Sequence, residues 1–146
     1  LVRDNLAKKN DNNNENNYDK IKHLVEVDDD ILAVFIMTSS QIKELYIAKN
    51  SKIDRSYVDS IVNDLNLDRS VENEKLTIER IKQDGKSILG KIKWIVLEYD
   101  KLRILKIYEF DKTIFVLINS NTQLEHTVDN ILGYYYDLDE TPKSLF

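Results

Sequence analysis

The chain contains no cysteine. It therefore has no disulfide framework, no thiol nucleophile and no thiolate metal site, and this favours a reducing compartment. With only three glycines and one proline in 146 residues, it cannot build a glycine-rich phosphate cradle, and neither G-x-G-x-x-G nor G-x-x-x-x-G-K-[ST] occurs. Long apolar runs are absent too. The longest, Ile31 to Met37, is too short to span a bilayer, so membrane insertion is not expected. Residues 1–30 lack the continuous apolar stretch of a signal peptide, and the expected location is the cytoplasm. There is no basic excess: 21 Lys and Arg stand against 26 Asp and Glu. The acidity sits at the ends, because residues 31–136 hold 15 of each sign. Nucleic acid, which selects a basic stripe, is not an expected partner.

What is present suits one packed domain: 42% of residues are hydrophobic and 32% are charged. Residues 1–19 are rich in Asn and Asp and bury too little apolar surface to offset ordering entropy, so a disordered tail is expected there. Residues 20–136 form the predicted domain, and 137–146, with Asp137, Asp139 and Glu140, an acidic tail. Tyr18, Ile21, Leu24 and Val25 fall at the spacing of a short first helix. Asp28, Asp29 and Asp30 follow. Three adjacent carboxylates cannot all face one ion, so a solvated turn is the simpler reading.

Ile31 to Thr38 and Ile42 to Lys49 read as a hairpin around a polar loop at residues 38–41. A helix follows, with Ser51 and Asp54 as an approximate capping signal and Tyr57, Val58, Ile61, Val62 and Leu65 as its apolar stripe. The pattern stalls at residues 67–69. Ser70 offers a new N-cap, and Ile78, Ile81, Gly85, Ile88 and Ile92 step like the seam of a second helix.

The clearest block is Trp94 to Ile118. Three strands, Trp94–Tyr99, Leu102–Phe110 and Thr113–Ile118, are separated by Asp100-Lys101 and Asp111-Lys112, joints short enough for tight hairpins. Trp94 and Val96 alternate with Ile95, Leu97 and Tyr99, so both faces are apolar and both must be covered, by helices or by a partner. Thr122 and Glu125 have capping-box spacing, and Leu124, Val128, Ile131 and Tyr135 form the stripe of a last helix. The first helix is short, the terminal helices are scant cover for a full sheet face, and an incompletely covered sheet is expected.

This order of elements resembles the roadblock/dynein light-chain superfamily and the wider profilin-like and longin-like group. The likeness lies in topology and covers about residues 18–136. It implies an α+β fold: a five-stranded antiparallel sheet of order 2-1-5-4-3, with the middle helix on one face and the terminal helices on the other. It further implies homodimerisation through a helix and a sheet edge, and regulation or scaffolding of a small GTPase. Arg55, Arg69, Arg80 and Arg103 are available for a GTPase-activating contact, and nothing in the sequence selects among them.

No catalytic, cofactor-binding or metal-ligating residue is expected. His23 and His126 lie on separate terminal helices without a nucleophile or further ligands at useful spacing. Ser39 and Ser40 lack the Gly-flanked elbow that exposes a nucleophile. Asp137, Asp139 and Glu140 lack the glycine and the length of a calcium loop. Tyr134, Tyr135 and Tyr136 are consecutive at a helix end and cannot all face the core. With Trp94 and Tyr99 they are the candidate interface residues, since tyrosine and tryptophan are enriched at protein interfaces. The expected function is a non-enzymatic, homodimeric interaction module. The alternative is a PAS-like ligand sensor, which predicts an apolar pocket with polar groups converging inside it. A small enzyme is the least supported reading.

Overall fold

Strands whose alternate residues are all apolar are stable only between two layers, and this chain supplies both. The computed structural model describes residues 19–67 and 88–136. A helical stretch over 19–27 (α1) leads into β1 (Ile31–Thr38) and β2 (Gln41–Ile47), then α2 (Arg55–Leu67). The meander β3 (Trp94–Glu98), β4 (Leu102–Tyr108) and β5 (Thr113–Asn119) precedes α3 (Leu124–Tyr135). The five strands make one antiparallel sheet of order β2-β1-β5-β4-β3. The strand order and the helix placement are those implied by the roadblock resemblance.

The sheet's period of two sorts the core into two layers. On one face Val34, Ile36, Leu105, Ile107, Ile114, Val116 and Ile118 pack under Ile21, Leu24 and Val25 of α1 and Val128, Ile131, Leu132 and Tyr135 of α3. On the other, Ala33, Phe35, Leu102, Ile104, Phe115 and Leu117 pack under Val58 of α2, with Ile61, Val62 and Leu65 partly buried beside it. Phe35 and Phe115 are cross-strand partners with stacked rings 4.9 Å apart. Such a pair adds about 0.5–1.5 kcal/mol beyond its burial. Lys106 is also buried on this face, its ammonium 5.1 Å from the Phe115 ring centre and 5.6 Å from that of Tyr108.

The expectation of an incompletely covered sheet holds for the two outer strands, β2 and β3, and not for the buried middle strands β1, β4 and β5. The terminal helices, short as α1 is, bury the middle of their face, and the less covered surface lies at the sheet's edges. Other local readings change as well. Asp54, rather than Ser51, caps α2, accepting from the Tyr57 N–H at 2.8 Å, while the Ser51 hydroxyl accepts from Ile53 N–H at 3.2 Å. Tyr57 lies off the buried stripe and is exposed. Thr122 does not cap α3: Gln123 is the N-cap, and the Thr122 hydroxyl donates to the Asn119 carbonyl at 3.1 Å. Ile88 and Ile92, the last members of the predicted helical seam, lie in a non-helical approach to β3 and are exposed. Gly90 there takes a φ of +78°, a left-handed conformation that interrupts any helix. The rest of that second helix, including Ser70, Ile78, Ile81 and Gly85, lies outside the described residues, as do Tyr18 and nearly all of both predicted tails.

The aspartate trio forms the expected turn. The Asp28 carboxylate accepts from the Asp30 N–H at 2.9 Å, and the Asp30 carbonyl accepts from the Asn119 N–H at 2.8 Å.

Candidate functional site

A strand at the end of a sheet carries unpaired backbone groups along one side, and the two outer strands here treat that side differently. In β2 the register slips between Ile36 and Met37, so that Lys43 is an extra residue, and Lys43 and Glu44 are exposed. A bulge and two charges blunt an edge. In β3 the register against β4 is unbroken from Trp94 to Glu98, and four of the five residues are uncharged and apolar. Among the described residues this edge has no such guard.

Which amides face outward follows from the hydrogen bonds. Tyr108 N–H donates to the Lys93 carbonyl and Tyr99 N–H to the Leu102 carbonyl, both at 2.9 Å. In an antiparallel ladder, bonded and non-bonded residues alternate. Lys93, Ile95, Leu97 and Tyr99 thus turn their backbone toward β4, while Trp94, Val96 and Glu98 turn theirs away from the sheet. Along this edge Trp94 is 40% exposed, and Ile95, Val96 and Leu97 are half-buried.

The five residues singled out in the sequence fall into two groups. Trp94 and Val96 point to the α1/α3 face, and Lys93, just before Trp94, places its ammonium 5.7 Å from the Tyr136 ring centre. Lys93, next to Trp94 in the chain, thus brings the start of β3 to the tyrosine run. Within the run only Tyr134 is well exposed, at 42%. Tyr135 is 3% exposed in the core, with its ring edge-on to that of Tyr136, which is partly buried. Their spacing of 100° per residue turns the three rings in different directions. Tyr99 lies at the far end of β3 and packs on the opposite face. Phe110, in the β4–β5 turn, is exposed and was not singled out in the sequence. It reads there as the end of a strand, whereas Glu109 N–H closes a turn onto the Lys112 carbonyl at 2.9 Å.

Tyr99 lines a hollow of about 390 Å³ with Tyr57, Ile61, Leu65, Leu102 and Ile104. This is the size of a small-ligand pocket. Its charged residues, Asp64, Asp100 and Lys101, are all exposed. They rim the hollow, and they do not converge inside as the sensor reading predicts.

The remaining candidates are placed as follows. His126 is exposed, with its Nε2 3.3 Å from Asn130 Nδ2, and His23 is exposed on α1. Among the described residues no group of three or more His, Cys, Asp or Glu could hold a metal ion. No helix among them is long and apolar enough to cross a membrane. Ser39 and Ser40 are the two central residues of the β1–β2 turn. Of the arginines, Arg103 is held by Glu98 and Thr122, while Arg55 is exposed and lies 3.6 Å from Asp59. Arg69 and Arg80 lie outside the described residues.

No protein family and no curated protein matches the sequence. Several solved structures are similar in fold, among them the following two. One is a roadblock/LC7 domain from Streptomyces avermitilis, 10% identical, with a TM-score of 0.46 over 74% of this chain and 82% of that one. The other is MglC from Myxococcus xanthus, 10% identical, with a TM-score of 0.45 over 75% and 88% of the two chains.

Proposed function

We propose that this domain is a non-enzymatic protein-interaction module that works by extending its sheet at the β3 edge, first of all as a homodimer. The observation that carries the proposal is the contrast between its two edges. One is bulged and charged; the other is regular and apolar, with Trp94 at its exposed end. Strand addition satisfies the outward amides and removes Trp94 and its neighbours from water. Trp94, Tyr99, Tyr134 and Tyr136 are the aromatic residues at or near this surface, and Tyr135 supports it from inside the core. Regulation or scaffolding of a small GTPase, implied by the roadblock resemblance, is the finer part of the proposal and concerns a second partner.

Light scattering coupled to size exclusion tests the main claim. The expected result is a dimer at tens of micromolar. Val96→Lys, which puts a charge at the middle of the edge, is expected to give a monomer with an unchanged far-UV circular dichroism spectrum. A wild-type chain that stays monomeric to several hundred micromolar overturns the homodimer. Hydrolysis and exchange assays on a panel of small GTPases, with and without the protein, test the second partner.

A further inference from the structure

We infer that the hollow between α2 and the β3–β4 hairpin binds a small organic cation, with its apolar body inside and its ammonium at the rim. The site lies on the α2 face, at the opposite end of β3 from Trp94, and does not depend on the proposed homodimer.

The walls follow from two local patterns. Tyr57, Ile61, Asp64 and Leu65 recur at helical spacing, which puts them on one side of α2. Val58, on the adjoining side, is fully buried with Phe35, Ile104 and Phe115 and anchors the helix over the sheet. The opposite wall is the hairpin. Tyr99 N–H donates to the Leu102 carbonyl at 2.9 Å, which closes a joint with Asp100 and Lys101 at its tip. Leu102 and Ile104 are buried and form the floor. The space between the walls is about 390 Å³, within the range of small-ligand pockets.

Charge selects the ligand. Asp64 stands on the helix wall and Asp100 on the hairpin wall, with Lys101 beside Asp100, and all three are exposed. The rim thus carries two carboxylates against one ammonium, in a chain whose net charge is −5. A charge is costly to bury without a partner. A bound cation therefore stays at the rim, where the carboxylates meet it, while its hydrocarbon part enters the hollow. Tyr57 and Tyr99, one on each wall, add ring surface that attracts cations. An anion meets two like charges and one opposite charge, and a neutral molecule gains the apolar contact alone.

The test uses three probes of similar size: 4-phenylbutylammonium, 4-phenylbutanol and 4-phenylbutyrate. Each is titrated into the full chain at pH 7 and followed by amide chemical shifts in two-dimensional NMR. The ammonium is expected to bind with a Kd on the order of 1 mM, usual for a ligand of this size. It is expected to move the amides of Leu65, Tyr99 and Leu102. The alcohol is expected to bind about tenfold more weakly, and the carboxylate more weakly still. Asp64→Asn and Asp100→Asn change exposed side chains and leave the fold intact. Each is expected to weaken the ammonium about two- to fivefold and to leave the alcohol unchanged. Lys101→Gln is expected to strengthen the ammonium about twofold.

Equal binding of ammonium and alcohol, or tighter binding of the carboxylate, overturns the cation assignment. Shifts confined to other amides, or none at about ten times the expected Kd, overturn the site itself. A chain that is monomeric by light scattering and binds the ammonium at these amides supports this inference and removes only the homodimer.

Discussion

Tyr135, in the last turn of α3, donates its phenolic O–H to the Glu109 carboxylate in the β4–β5 turn. The same carboxylate lies 3.4 Å from the Lys112 ammonium. This joins the final helix to the end of the hairpin that carries Phe110. Burial of the ring, and then the bond to Glu109, hold the Tyr135 hydroxyl well above the usual tyrosine range. Removing the hydroxyl in Tyr135→Phe is expected to cost about 1.5–3 kcal/mol, the range for a hydrogen bond to a charged group, measured by urea denaturation at pH 7.

The same pair sets a pH dependence. A pKa raised on folding means that the native state holds its proton after the unfolded chain has lost it. The stabilisation is present in full below pH 10.0, the ordinary tyrosine value, and is lost as pH rises from there through the folded value. Wild-type stability is therefore expected to fall above about pH 10, and Tyr135→Phe to fall less steeply. Urea midpoints between pH 8 and 11 check this; parallel curves for the two proteins would remove Tyr135 as the cause. Tyr136, raised by burial and by Glu109, remains in the variant and leaves a residual slope.

Arg103 ties three segments together. Its Nε donates to Glu98 on β3, and one terminal nitrogen donates to the Thr122 carbonyl at 2.5 Å and to the Thr122 hydroxyl at 3.1 Å. The guanidinium is nearly enclosed, while Glu98 is half exposed. Arg103→Met is expected to cost about 2–3 kcal/mol by leaving the Thr122 carbonyl without its partner. Glu98→Gln is expected to cost under about 1 kcal/mol, because the pair is half exposed at Glu98 and an amide oxygen still accepts from the Arg103 Nε. Equal losses in chemical denaturation would show that the ion pair, rather than the Thr122 contact, dominates.

The β1–β2 turn holds Ser39 and Ser40 at φ values of 50° and 67°, both in the left-handed region. Two-residue hairpins want that geometry, but serine adopts it reluctantly, whereas Asn-Gly takes it readily. Replacing Ser39-Ser40 by Asn-Gly is expected to stabilise the domain by about 0.5–1.5 kcal/mol. A thermal melt that moves down or stays level would contradict this.

Asp54 caps α2 through its bond to the Tyr57 N–H. Asp54→Ala is expected to cost about 1 kcal/mol, and Asp54→Ser to recover most of it. Ser51→Ala is expected to cost less, because its hydroxyl serves Ile53 ahead of the helix.

Much of the fold is legible in residue order because it depends on local periodicity. The apolar alternation from Trp94 to Ile118 defines the meander, and the stripes of α2 and α3 are visible at helical spacing. Asp100-Lys101 occupies a two-residue joint closed by Tyr99 and Leu102. The caps are less legible, since Ser51 and Asp54, or Thr122 and Gln123, offer competing hydroxyl, carboxylate and backbone partners within a few residues. Which of them bonds depends on the incoming chain direction. The candidate edge is legible only in part. Trp94 is marked by its type, but Tyr134, Tyr135 and Tyr136 are identical in type and differ only in the direction the helix gives them.

The sequence by itself determined the elements, their apolar faces and the need for cover on both sides of the sheet, because side-chain periodicity and desolvation act over a few residues. That β1 lies between β2 and β5, and hence that β3 is left at the edge, is not readable from periodicity; the likeness in element order implied it, and the tertiary structure shows it. Tertiary structure alone decided that the terminal helices cover the middle strands of one face and that Lys43 bulges from β2 while β3 stays regular. These are matters of pairing between segments far apart in the chain, where the free energy depends on which surfaces meet. The same pairing turns the backbone of Trp94, Val96 and Glu98 outward.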